Sequence, residues 1–376
     1  MPKRDMDRHT IGVSSRTPAT RLRKYALTFV ALFMFPLVGA NPNALAINIE
    51  LQPSRKIGNE EKREEVDEIS IAQQYGVAYL PLMIMRQYSL IEKHASAVGL
   101  GNLRVRWNRY PSGKVMNDAL KAGLLDFASG GIVPMLTMWD NTRARTRIKG
   151  VAALSSMPLY LNSRNPNVNS LRDFTEKDRI ALPRVKNSIQ AVILQMAAAQ
   201  TFGEQNYAQL DRLTVSMAHP NARTALLSGK SEITAHLTSP PFQYQELKDP
   251  NIHQVFSSYD VLGGPTTFTV MWARGQFREA NPKTFRAVYE AVKEAIEILE
   301  QDKRYAAEVY IQQADSGLSL DFVHAVITQP DTRFGVVPLN IMRYAKFMRK
   351  TGTIKEAPSD WKEVFFPEVY ADASSP

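Results

Sequence analysis

ALKAGLLDFASGG, residues 119–131, is followed 106 positions further on by ALLSGKSEITAHL, residues 225–237. Ala119 and Leu120 correspond to Ala225 and Leu226, Gly123 to Gly229, Asp126 to Glu232 and, at the same offset, Pro134 to Pro240. Each copy reads as the end of a helix, a glycine stop, an acidic residue and then a strand. A unit written twice at one spacing predicts two similar lobes that each fold around their own sheet.

The stretches around each copy agree with this. EISIAQ (68–73) alternates as a strand does, and Gln74-Tyr75-Gly76 turns into a helix with Pro81 near its start. Ser89 to Glu92 has the form of a capping box, LRVRW (103–107) alternates again, and Ser112 stands where it can cap the helix that Gly123 ends. After IKGVAALSS (148–156) the order restarts with strand RIALP (179–183), a helix over about 188–201, strand LTVSM (213–217), a helix over about 221–228 and strand EITAHL (232–237). Strands that alternate with helices predict α/β lobes, each a doubly wound parallel sheet covered on both faces. YDVLGGPTTFTVMWA (259–273) adds a single strand before a long amphipathic helix from about Pro282 to Leu299. A single strand makes no third domain, so it is expected to return to the first sheet, and the chain then crosses between lobes twice. The expected division is lobe 1 over 68–159 and 262–366, lobe 2 over 160–261, and a loose tail over 367–376.

The first residues read as an export signal. Arg21, Arg23 and Lys24 precede the apolar run YALTFVALFMFPLVGA (25–40), with small-residue cleavage sites at Ala40 and Ala46. The run is shorter than the roughly 20 residues of a membrane span. A cleaved signal over 1–46, a flexible polar lead-in over 47–67 and a periplasmic destination are therefore expected. Of the net charge of +9, the seven Lys/Arg and two Asp/Glu of residues 1–46 contribute +5, which leaves 39 basic against 35 acidic residues. That balance gives no reason to expect nucleic acid as a partner. With no cysteine in the chain, disulfides, thiol nucleophiles and thiolate zinc sites are excluded. His94, His219, His236, His253 and His324 are too dispersed for a sequence-local metal motif, and no catalytic signature accompanies them, so no cofactor is expected.

The chain resembles the periplasmic substrate-binding proteins of ABC transporters for nitrate, sulfonate, taurine and related compounds. The likeness rests on YGVAYLPL (75–82), ALKAGLLDFASGG, the Leu-x-Asp-Phe and IALP pair (171–183), HPNARTALLSGKSEITAH (219–236) with SPPF after it, and the run from Pro338 to Trp361. It spans about 68–366. It implies the type II periplasmic binding protein fold, hinge closure of two lobes on a small molecule whose identity the likeness does not fix, a monomer, and an ABC permease as partner. Helix N-termini and hydroxyls at the cleft point to an anionic organic solute, a sulfonate, carboxylate or similar group. The pyrimidine synthase of thiamine biosynthesis resembles these binding proteins too, but it uses a cysteine-rich motif that this chain lacks. A binding role without enzymatic turnover is therefore the expectation.

A parallel α/β sheet binds ligands beyond the carboxyl ends of its strands, where loops and helix N-termini meet. At such an end, Lys186-Asn187-Ser188 follows IALP and opens a helix, so it serves either as an anion cradle or as an ordinary cap. Gln73 and Tyr75 lie at the first strand-to-helix turn, where the Tyr75 ring either stacks on a ligand or packs the lobe edge. Ser129, Gly130 and Gly131 join a hydroxyl to backbone that a ligand can approach closely. Thr238 and Ser239 occupy the corresponding loop of the second copy, stiffened by two prolines. Ser156 and Thr266 stand at the two crossovers, as ligand contacts or hinge residues.

Overall fold

The computed structural model describes residues 64–373, in which eleven strands form two sheets. In chain order they are β1 (Glu68–Gln73), β2 (Arg104–Arg109), β3 (Phe127–Gly131), β4 (Lys149–Ser156), β5 (Tyr160–Ser163), β6 (Ile180–Leu182), β7 (Thr214–Ser216), β8 (Ala235–Thr238), β9 (His253–Ser257), β10 (Thr267–Ala273) and β11 (Arg333–Phe334). The larger sheet has the order β11-β4-β10-β3-β1-β2 and the smaller one β7-β6-β8-β5-β9. The protein is thus α/β, with one lobe built on each sheet.

The repeat is structural. Helices Gly113–Lys121 and His219–Ser228 occupy its two copies, Gly123 and Gly229 stop them at φ of 74° and 61°, and β3 and β8 follow. One correspondence ends there: Pro134 sits inside helix Ile132–Thr142, whereas Pro240 lies in a loop with a cis bond to Pro241, so the shared prolines do not share a geometry.

The sheets are mixed. β1 runs parallel to β2 and β3, and β6 parallel to β7 and β8, as the alternation predicts. However, β10 runs antiparallel to β3 and β4, and β5 antiparallel to β8 and β9. The crossovers explain the difference. The parallel strands end at the cleft, so a strand arriving from the other lobe starts at the cleft and runs the opposite way. β5 enters the smaller sheet in this manner, and β10 inserts between β3 and β4 of the larger one.

Burial follows position in the sheet. Central β10 is buried at every residue, while edge strand β2 keeps exposed arginines at 104, 106 and 109. Trp272 of β10 is fully buried, and its ring N–H donates to Asn117 Oδ1 at 3.1 Å. Asn117 in turn donates to the Pro134 carbonyl at 3.0 Å, which fixes two helices of the larger lobe against its sheet.

Both edges of the described region are more ordered than composition suggests. Glu65, placed in the lead-in by its polar context, accepts from the backbone of Lys283 and Thr284 at 2.9 and 2.7 Å. It caps the long helix Pro282–Gln301, while Val66 donates to Asn281. The tail is a helix over Glu368–Ala373, joined to the long helix by Lys293–Asp372 and to helix Gly275–Ala280 by Arg278–Glu368. The expected signal, its cleavage sites and the lead-in up to residue 63 lie outside the described residues, as do residues 374–376. Among the described residues no helix is long and apolar enough to cross a membrane.

Candidate functional site

The two crossovers are bonded to each other: Ser258 N–H donates to the Leu159 carbonyl at 2.7 Å, and Leu159 N–H to the Ser258 hydroxyl at 2.9 Å. From this joint the lobes close over the ends of their parallel strands. Across the cleft, Val77 N–H donates to the Pro240 carbonyl at 3.3 Å. Gly131 meets Ile189 so closely that a Cβ at 131 would stand 2.9 Å from the Ile189 side chain. Between these contacts lies a cavity of about 20 Å³, the room of roughly one water.

Tyr75, Gly131, Asn187, Ser188 and Ser239 line it, as do Gln74, Tyr79, Arg184, Gln190, His219 and Phe268. Tyr75 and Gly131 come from the ends of β1 and β3, and Asn187, Ser188 and Ser239 from the ends of β6 and β8. Strands of both copies therefore deliver their C-terminal loops to one point. Ser188 serves as a cap: its hydroxyl accepts from Ala191 N–H at 3.1 Å and donates to the Arg184 carbonyl at 2.7 Å. That hydroxyl is committed, but Ile189 and Gln190, first-turn residues whose N–H groups have no acceptor inside the helix, line the cavity. Ser239 is the opposite case, since its hydroxyl is buried without a partner.

The other candidates lie apart from the cavity. Gln73 is buried in the sheet, and its neighbour Gln74 reaches the cavity instead, because successive strand residues face opposite ways. Gly130 gives Gln74 its space: a Cβ there would stand 2.6 Å from the Gln74 amide nitrogen. Ser129 is buried opposite Met271 of β10, its hydroxyl without a partner. Ser156 pairs with Thr267 and Arg333 at the end of β4. Thr266 bonds the Tyr344 hydroxyl at 3.1 Å beside the second crossover. Thr238 contacts His219 Nδ1 at 3.3 Å behind the cavity wall. Lys186 is exposed at φ 64°, and its charge acts on Asp211, so it flanks the helix outside the cavity.

A buried polar network behind the cavity leaves no local pattern in the sequence. Gln190 Nε2 lies 3.2 Å from His219 Nε2, His219 Nδ1 2.9 Å from His236 Nε2, and His236 Nδ1 2.6 Å from Glu246 Oε1. Asn162 donates to the other Glu246 oxygen at 2.8 Å, and Glu246 and His236 are fully buried. Burial and the adjacent His236 hold His219 well below the usual imidazole pKa. A neutral His219 accepts from Gln190 and donates Nδ1–H to His236, which donates to Glu246. The chain ends at Gln190 on the cavity wall. A spacing of 17 residues between His219 and His236 gave no local signal for it. Among the described residues no group of three or more His, Asp or Glu side chains is placed to hold a metal ion.

No family model and no curated protein matches the chain. Solved structures do. It is similar to the alkanesulfonate-binding protein SsuA of Xanthomonas axonopodis pv. citri, solved bound to MOPS, with a TM-score of 0.63 at 18% identity over 81% of this chain and 98% of that one. The periplasmic aliphatic sulphonate-binding protein SsuA of Escherichia coli aligns with a TM-score of 0.59 at 15% identity, covering 82% and 100%. The periplasmic nitrate-binding protein NrtA of Synechocystis PCC 6803 aligns at 0.62 and 13%, covering 82% and 89%. The fold is that of the periplasmic binding proteins, and these neighbours are of the group that the sequence resembles.

Proposed function

We propose that the chain is an extracytoplasmic solute-binding protein. It captures a small anionic organic solute, a sulfonate or carboxylate, between its lobes and presents the closed form to an ABC permease, as a periplasmic monomer freed of its signal. The lobes divide near 159 and 262, and Tyr75, Gly131, Asn187, Ser188 and Ser239 form the seat. The observation that carries this is Ser239: a buried, unpartnered hydroxyl in the same cavity as the first turn of helix Ile189–Phe202. A buried hydroxyl without a hydrogen bond costs roughly 1–3 kcal/mol, and a ligand can supply the missing bond. Helix N–H groups and the positive helix end favour an oxyanion as that ligand. A cavity of about 20 Å³ is small, so loading requires the lobes to open and reclose around the solute.

A second reading has one specific observation in its favour. His219 lines the cavity with His236 and Glu246 behind it, an arrangement that orients its Nε2 as a general base once Gln190 turns away from it. On that reading the scaffold is an enzyme for a small metabolite. A thermal-shift panel of sulfonates, carboxylates and nitrate separates the two. Stabilisation by an acidic solute recovered unchanged supports binding; turnover of that solute supports the enzyme; no stabilisation by any of them contradicts the anion reading.

A further inference from the structure

Gln74 and Tyr75 also border a second cavity, of about 250 Å³, that no expectation from the sequence includes. Arg109, at the end of β2 in the larger lobe, and Arg223, in helix His219–Ser228 of the smaller lobe, both line it. The Arg109 guanidinium lies 5.5 Å from the centre of the Tyr75 ring and donates to the Gln313 carbonyl at 3.3 Å. Among the described residues neither arginine has a carboxylate within ion-pair distance. Arg223 Nε is buried with no acceptor, and Gln245 Oε1, on the same wall, is buried with no donor. Burial pushes the Tyr310 hydroxyl up while Arg109 and Arg223 both pull it back, so both charges act on one wall of the cavity. The remaining charged group on the lining is Asp315, held at φ 47°.

Two cations from opposite lobes repel each other when the cleft shuts unless an anion lies between them. The charged groups of the lining, two guanidiniums and one carboxylate, together with the free Gln245 amide oxygen, complement a molecule with two acid groups and one ammonium. We infer that this cavity is a second ligand seat, for a small amino dicarboxylate such as glutamate or aspartate, whose acid groups join Arg109 to Arg223 and whose ammonium faces Asp315 and Gln245. Guanidinium and carboxylate pair through two parallel hydrogen bonds, which fixes the ligand's orientation as well as its charge. Because the two arginines belong to different lobes, occupancy favours the closed form.

The inference extends the solute-binding reading to a different set of residues, and its test separates the two. L-glutamate, L-aspartate and succinate are titrated calorimetrically into the full-length protein, with R212Q, which breaks a surface ion pair with Glu176, as the control for loss of one positive charge. Saturable binding of an amino dicarboxylate is expected, weakened at least tenfold in R109Q and in R223Q and unaltered in R212Q. D315N should narrow the preference for that amino acid over succinate. Absence of saturable binding by both amino acids overturns the inference, and so does equal affinity in wild type, R109Q and R223Q. Binding that is lost in S239A but kept in both arginine variants overturns it while leaving the first seat standing.

Discussion

Val77 and Pro240 stand just beyond β1 and β8 in opposite lobes, and the N–H of the first donates to the carbonyl of the second at 3.3 Å. The bond closes the cavity beside Tyr75 and Ser239. Gly76 makes the approach possible: its φ is 115°, and a Cβ there would stand 2.8 Å from the Pro240 oxygen. Gly76→Ala should therefore penalise the closed form by roughly 1–3 kcal/mol. Solute affinity is expected to fall about tenfold or more, and small-angle scattering should report a larger radius of gyration. Unchanged affinity and scattering would show that closure does not depend on this contact.

Two serines of the seat should behave oppositely. Ser188 is a cap with both hydrogen bonds made, so Ser188→Ala should cost about 1 kcal/mol of stability with or without ligand. Ser239 has no partner, so Ser239→Ala should leave the melting temperature of the free protein unchanged or slightly raised, yet weaken the solute. Melting curves with and without ligand check both. A Ser239→Ala protein that melts much lower without ligand would mean that the hydroxyl is structural.

His219 sets a pH dependence. Its folded pKa lies well below the usual 6.5, so near pH 6.5 the unfolded chain takes up a proton that the folded chain refuses. The contribution to stability is thus whole above pH 6.5 and is lost as the pH falls below it, by up to about 1.4 kcal/mol per pH unit until the folded group titrates. His219→Gln should remove this component, so the stability gap between wild type and variant should narrow from pH 8 to pH 5.5 in urea melts. A gap that stays constant would place the titration elsewhere.

Glu65 offers a check on the ordered N-terminal edge. Its carboxylate accepts from Lys283 N–H, Thr284 N–H and the Thr284 hydroxyl at 2.9, 2.7 and 2.8 Å. Glu65→Ala should cost about 1 kcal/mol through loss of this cap. A melting temperature equal to wild type would mean the carboxylate is replaced there by water at no cost.

The fold was legible because it is written in local patterns. The repeat, the glycine stops and the strand at Glu68–Gln73 each depend on a few neighbouring residues, and each coincides with an observed element. Strand direction was less legible, since the antiparallel run of β5 and β10 follows from which lobe the chain has just left, a fact of topology rather than of pattern. Ser89 shows a similar limit: it precedes a helix with Glu92 in place, but its φ of 49° prevents the capping box from forming. Of the residues that line the cavity, Tyr75, Asn187, Ser188 and Ser239, which directly follow strands, were legible in the sequence, and those reaching it by side-chain direction were not. Gln74 was missed by one position because the sheet faces alternate. His219 and Arg223 were missed because their surroundings come from chain far away: Glu246 lies behind the first, and Arg109, from the other lobe, stands across the second cavity.

The central claim is that the cleft binds a small anion at the residues that converge there. Calorimetric titration of the strongest ligand from the panel of sulfonates, carboxylates and nitrate, into wild type, Ser239→Ala and Asn187→Ala, tests it most directly. The prediction is one saturable site in wild type, weakened about tenfold by each substitution, in line with the roughly 1–3 kcal/mol of a buried hydrogen bond to a charged group. Absence of saturable binding by any member of the panel, or equal affinity in all three proteins, would contradict it.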